Sequence, residues 1–213
     1  HRTVDIASVN YAANSVRTLF SRPTTYFANL SKGVTWTLDQ LKKKAASCPN
    51  QQIVLGGYSQ GAMVMHRVLH QVPAATLGRV SAAVLIADGD EIPNDQQTRY
   101  GSASAAARGA GHFYRTASHT STAKFSIGLK KRVLSVCNRH DPVCDFTILD
   151  PALFNIHLGY KGTKPVFDAA DQAARAVRAL PLPTPTTVTL EADTGKPLTH
   201  KLTADVASGY TLQ

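Results

Sequence analysis

The 213-residue chain has few of several residue types. It holds three cysteines, two methionines and one tryptophan. Three cysteines are too few for a disulfide-built scaffold, and the count is odd. No apolar run approaches the ~18 residues that a membrane-spanning helix needs. Acids are scarce, with 14 Asp and Glu against 23 Lys and Arg and a formal charge of +9. There is no internal repeat. What remains is ordinary globular composition, 43% hydrophobic and 17% charged, which excludes a disordered chain. A chain of this length buries enough surface to fold without staples.

The basic excess is concentrated. Arg99, Arg108, Arg115, Lys124, Lys130, Lys131 and Arg132 follow one another with no acid between them, and Lys42, Lys43 and Lys44 form a smaller cluster. Neither stretch carries the groove-binding helix or the stacking aromatics of a nucleic-acid module, so no nucleic-acid partner is expected. The plain reading is solvated faces and loops. A second reading is peripheral attraction to anionic lipid or cell-wall surfaces.

Strands and helices alternate along the chain. Residues 4–9 (VDIASV) read as a strand, and a chain that opens inside a strand suggests a preceding segment. A helix starts at Asn29 or Ser31, uses Val34, Leu38 and Leu41, and ends at the Cys48-Pro49-Asn50 stop. Residues 52–55 (QIVL), 81–87 (SAAVLIA) and 132–136 (RVLSV) are short, apolar and β-branched, as buried parallel strands are. Residues 60–70 and 166–180 have helical period. Between them, 88–129 reads as a long irregular excursion with a short helix at 103–108. Together these predict an α/β fold of three layers, a doubly wound central parallel sheet covered on both faces. The expected domain covers 1–180. A proline-rich linker at 181–185 and a β-like tail or start of a second module at 186–213 follow.

The strongest motif is Gly57-Tyr58-Ser59-Gln60-Gly61, a G-x-S-x-G pattern between a predicted strand and a predicted helix. The chemistry needs a sharp turn that lifts the serine to a helix N-terminus, where free N–H groups favour developing negative charge. The plainer alternative is a glycine-rich turn. Cys137-Asn138-Arg139-His140-Asp141-Pro142-Val143-Cys144 follows the last predicted strand, at its C-terminal end, where open parallel sheets carry their sites. A Cys137–Cys144 disulfide would pin a loop holding Asp141, an acid able to orient a histidine. The alternatives are a purely structural turn, or zinc on Cys137, His140 and Cys144, which lacks a second ligand pair. His157 follows, giving the chain order serine, acid, histidine of α/β-hydrolases. His140 competes as base but adjoins Asp141. His66 and His70 read as packing or surface residues, and His112 and His119 have no identified partners.

The sequence resembles the cutinase family of α/β-hydrolases, especially its actinobacterial cutinase-like branch. The resemblance rests on 9–13 (VNYAA), on Ser47-Cys48-Pro49 leading into IVLGGYSQGA, on the Cys137–Cys144 segment with DPVC, and on His157 followed by Gly159-Tyr160. It covers roughly residues 4–180. It implies a secreted, extracellular serine esterase without added cofactor or metal, acting on short to medium acyl esters, lipids or cutin-like polyesters as a monomer. It implies Ser59 as nucleophile, His157 as base, Asp141 as its orienter and the Gln60 N–H as one oxyanion donor. The family carries the other donor, a Ser or Thr, and the partner of the Cys48-like cysteine on a strand and loop that would precede Val4. The expectation is a chain lacking its natural start or one with a weakened oxyanion site. Tyr58, Ile148, Leu149, Leu153, Phe154 and Ile156 are the candidate acyl-contacting residues. A carbohydrate acetylesterase, and a non-catalytic module that binds polymer or lipid surfaces, are the rival readings.

Overall fold

A computed structural model describes residues 4–119, 123–147, 150–179, 187–191 and 197–201. Four strands form one sheet: β1 (Ile53–Tyr58), β2 (Val80–Ile86), β3 (Thr98–Tyr100) and β4 (Val133–Val136). Their order is β1-β2-β4-β3, and every neighbouring pair is parallel. The helices are α1 (Val16–Ser21), α2 (Pro23–Ser47), α3 (Gln60–Gln71), α4 (Ala74–Leu77), α5 (Ala110–Ala117), α6 (Phe154–Leu158) and α7 (Lys164–Arg178).

Alternation along the central strands divides the core in two. Ala83, Leu85 and Val133 pack with α2 and α3, through Leu30, Val34, Met63, Val64 and Val68, and Val80 joins them before the register shift at the start of the β1–β2 ladder. Ala82, Leu134 and Val136 face the other way and meet Ala169 and Ala173 of α7. Three layers result, with helices on both faces of the sheet. α3 lies between α2 and the sheet, so eight of its twelve residues are buried, more than the single stripe its period predicts.

Several elements differ from the sequence reading. Residues 4–9 join no strand. They run along α2, where Lys44 Nζ holds Asp5 Oδ2 at 2.6 Å and Val9 packs on the core. α2 starts at Pro23, whose fixed φ suits a first helical position, rather than at Asn29 or Ser31. The 88–129 excursion is not irregular throughout. It supplies the edge strand β3 and the helix α5, while 103–108 forms only turns.

Its basic residues are not all solvated either. Arg99 pairs with the buried Glu91, Arg115 lies 3.9 Å from the buried Asp90, and Arg132 donates to the carbonyls of Leu77 and Val80 at 3.0 Å. These groups tie β3, α5 and β4 to the rest of the sheet. Lys124, Lys130 and Lys131 remain exposed.

The expected linker at 181–185 lies outside the described residues. Within the 186–213 tail, β5 (Thr187–Glu191) and β6 (Pro197–Lys201) pair antiparallel. No helix among the described residues is long and apolar enough to cross a membrane.

Candidate active site

The turn at Ser59 is made by a single residue. β1 ends at Tyr58 and α3 begins at Gln60, so Ser59 alone reverses the chain direction. Its backbone takes φ 55° and ψ −120°, a conformation that L-residues rarely adopt. Two hydrogen bonds hold it there. Its N–H donates to the Ile86 carbonyl at 2.8 Å, and its carbonyl accepts from Met63 N–H at 3.2 Å.

The two glycines of the motif do different work. A Cβ on Gly57 would lie 2.3 Å from the Gly61 carbonyl oxygen, whereas one on Gly61 would meet nothing within 4 Å. Only Gly57 is required for the close approach of strand and helix.

Asp141 sits in the loop after β4, fully buried. Cys137 and Cys144 are joined in a disulfide that closes this loop, so neither sulfur remains as a zinc ligand. The Val143 N–H donates to Asp141 Oδ1 at 2.7 Å, and the Tyr160 hydroxyl donates to Oδ2 at 2.7 Å. His157, expected on a loop, lies on the five-residue helix α6 and is 3% exposed. Its Nδ1 is 3.1 and 3.2 Å from the two Asp141 oxygens, and its Nε2 is 3.0 Å from Ser59 Oγ. An uninterrupted line of hydrogen bonds therefore runs from carboxylate through imidazole to hydroxyl. An ionised carboxylate accepts only, so Nδ1 carries a proton and the neutral ring turns its Nε2 lone pair to the serine.

His140, the competing base, is exposed, with a left-handed backbone (φ 64°) and its N–H donating to Asp145 Oδ2 at 2.8 Å. The other histidines stand elsewhere. His66 is buried with Nδ1 2.6 Å from Asp88 Oδ2, and His70 stacks on Phe125 at 4.8 Å.

Tyr58 holds His157 in two ways. Its hydroxyl donates to the His157 carbonyl at 2.6 Å, and its ring stacks on the imidazole with centroids 5.2 Å apart. Burial, and then the nearby Asp141 charge, raise the Tyr58 pKa and keep it a neutral donor. Gln60, as first residue of α3, has an N–H with no carbonyl four residues back within the helix. Its side chain accepts from Asn14 N–H at 2.7 Å and donates to the Tyr26 carbonyl at 3.1 Å, which fixes the start of the helix.

Among the candidate acyl-contacting residues, Leu153, Phe154 and Ile156 are half-buried around α6, and Leu158 beside them is 70% exposed. Ile148 and Leu149 lie outside the described residues. Phe146, next to that segment, stacks on Phe20, meets Phe113 at a tilt, and belongs to the core's edge. Sequence reasoning gave Tyr160 no role. The signals available are its place in the His157…Gly159-Tyr160 match and the need of a buried tyrosine for a hydroxyl partner.

Comparison with known proteins bears on this geometry. The sequence pattern of the cutinase family matches residues 1–177. The chain belongs to the cutinase family. The cutinase of Hypocrea jecorina is 39% identical over 87 residues, which is 41% of this chain and 32% of that protein. The carboxylesterase Culp1 of Mycobacterium tuberculosis is 34% identical over 87 residues, 41% of this chain and 36% of that one. The matched stretch thus spans about a third of each curated relative. Fungal and mycobacterial proteins match over equal lengths, which supports the family and not its actinobacterial branch in particular.

Among solved structures, a cutinase-like protein from Cryptococcus superposes with TM-score 0.56 at 23% identity, covering 70% of this chain and 72% of that one. The catalytic core of Trichoderma reesei acetyl xylan esterase superposes with TM-score 0.52 at 22% identity, covering 71% and 70%. These likenesses give this cutinase-family chain an α/β-hydrolase fold.

Proposed function

We propose that this chain is a secreted serine esterase that cleaves carboxylic esters through an acyl-enzyme, with residues 1–180 as the hydrolase domain. The observation that carries the reading is the hydrogen-bonded line Asp141–His157–Ser59. Ser59 Oγ attacks the ester carbonyl as His157 Nε2 takes its proton, and Asp141 stabilises the imidazolium that forms. The Gln60 N–H, at the start of α3, receives the developing oxyanion. His157 then passes the proton to the leaving alcohol. A water deprotonated by the same nitrogen hydrolyses the acyl-enzyme.

Short to medium acyl esters, as in lipids or cutin-like polyesters, suit the apolar residues that flank His157 in sequence, Leu153, Phe154, Ile156 and Leu158. The exposed lysines Lys124, Lys130 and Lys131 suit peripheral contact with an anionic lipid or cell-wall surface. The enzyme acts as a monomer without cofactor. The Cys137–Cys144 disulfide supports an oxidising, extracellular setting.

Hydrolysis of p-nitrophenyl esters from C2 to C16, with Ser59→Ala as control, tests the reading. The expected profile peaks at about C4–C8 and falls at least about a thousandfold in the variant. Activity confined to C2 assigns a carbohydrate acetylesterase instead. Absence of both turnover and fluorophosphonate labelling at Ser59 assigns a binding module.

A further inference from the structure

Asp141 is buried completely, and a buried carboxylate must have its lone pairs satisfied or lose its charge. Among the described residues, two donors besides the histidine meet it. One is the backbone N–H of Val143, within the disulfide-closed loop. The other comes from outside that loop, from Tyr160, which is 3% exposed and packs with Cys137, Cys144, Ala169 and Ala173. The Tyr160 oxygen accepts the Asn138 N–H at 2.9 Å, so its acceptor side is occupied by a backbone group just after β4. Cys144 Sγ, 3.5 Å away, is a disulfide sulfur without a proton. The phenol proton is therefore directed to Asp141 Oδ2, at 2.7 Å. The backbone of Tyr160 is also fixed, because its carbonyl accepts from both the N–H and the hydroxyl of Thr163.

We propose that Tyr160 is a positioning residue of the ester-cleaving site: its hydroxyl is a fixed donor that orients the Asp141 carboxylate and sets how strongly it supports His157. This rests on the serine esterase reading above. Without the donor, Asp141 would keep the Val143 bond on Oδ1, while Oδ2 would lose the partner that fixes its tilt and shares its charge, so the two oxygens, now 3.1 and 3.2 Å from Nδ1, would meet the imidazolium with more of their charge and in a less fixed geometry. Among the described residues, the remaining titratable group that meets the pair is Tyr58, stacked on the imidazole. Burial and the Asp141 charge keep both phenols protonated, so the donation persists across the working pH range.

Tyr160→Phe removes one oxygen and little volume. In the full chain, kcat for a C4 ester should fall about tenfold or more while KM stays within about twofold. The acid limb of kcat/KM should move up by about half a pH unit, because a carboxylate that loses a donor binds the imidazolium proton more tightly. Site-specific 3-fluorotyrosine at position 160 keeps the fold and strengthens the donor, so the acid limb should move the opposite way. Where turnover is slow, the rate of fluorophosphonate labelling against pH gives the same limb.

An unchanged kcat in Tyr160→Phe overturns the proposal. So does an acid limb that neither change moves, since a merely structural role lowers activity without touching it. Should the phenylalanine variant not fold, the fluorotyrosine protein decides alone. Undiminished hydrolysis in Ser59→Ala sinks the parent reading instead, whatever position 160 does.

Discussion

Gly57→Ala isolates the packing that makes the serine turn possible. The added Cβ would lie 2.3 Å from the Gly61 carbonyl oxygen, 2.4 Å from the Gly61 carbonyl carbon and 2.6 Å from the Ala62 nitrogen. All three are backbone atoms of the first turn of α3, so no side chain can swing aside. Restoring ordinary contact requires β1 and α3 to part by about 1 Å. β1 is held by its ladder to β2, where Gly57 pairs with Leu85, so the movement falls on the turn and on α3. Overpacking of this kind costs ~1–3 kcal/mol. Ser59 sits between the two elements, and its 3.0 Å bond to His157 would not survive such a shift. A displacement of that size at a reacting group costs about 10²-fold in rate.

Gly61→Ala is the control. Its Cβ meets nothing within 4 Å, and alanine inside a helix is preferred over glycine by about 1 kcal/mol. Urea unfolding of both variants, with C4-ester hydrolysis alongside, reads the two effects. The expected result is a destabilised, nearly inactive Gly57→Ala beside a Gly61→Ala that keeps its stability and activity. A Gly57→Ala protein that unfolds and turns over like the parent would refute the reasoning, as would equal damage in both.

Two further outcomes follow from the same structure. Replacing both Cys137 and Cys144 with serine opens a loop whose ends are seven residues apart, which by chain entropy costs about 2.5 kcal/mol. Urea melts of that variant should match the parent under reducing conditions, and a midpoint equal to the oxidised parent's would count against the bond as a stabiliser. His66 offers a pH test. Burial opposes its charge, but Asp88, with Asp90 and Asp95 beyond it, outweighs that and raises its pKa above 6.5. A raised histidine contributes stability that is complete below the unfolded value and fades as pH climbs through the folded one. Asp88→Asn should therefore destabilise the protein more at pH 6 than at pH 9, and an equal loss at both would show that the histidine is not held charged.

The parts of this fold legible in the sequence are those with one dominant local cause. β2 and β4 are short runs buried on both faces, so their apolar character alone marks them, and α3 and α7 declare themselves by period. The order Ser59, Asp141, His157 was readable because each residue follows a local signal: a strand-turn-helix, a cysteine-bracketed loop, and a histidine beyond it. Elements set by distant partners were not. Residues 4–9 alternate like a strand yet pair with none, since period records the faces of a segment and not what lies beside it. β3 is three residues long, and its Arg99 looks like part of a solvated basic run until Glu91, eight residues back, is seen to hold it under cover. Tyr160 is the same case at the site. Its burial against the disulfide and its bonds to Asn138 and Asp141 arise from three separate segments meeting, and no spacing in the chain encodes that meeting. The identities of the proposed triad are therefore local information, while the orientation that would make them work is tertiary information, and that is why the test of Tyr160 reads geometry through a pH limb instead of through loss of a reacting group.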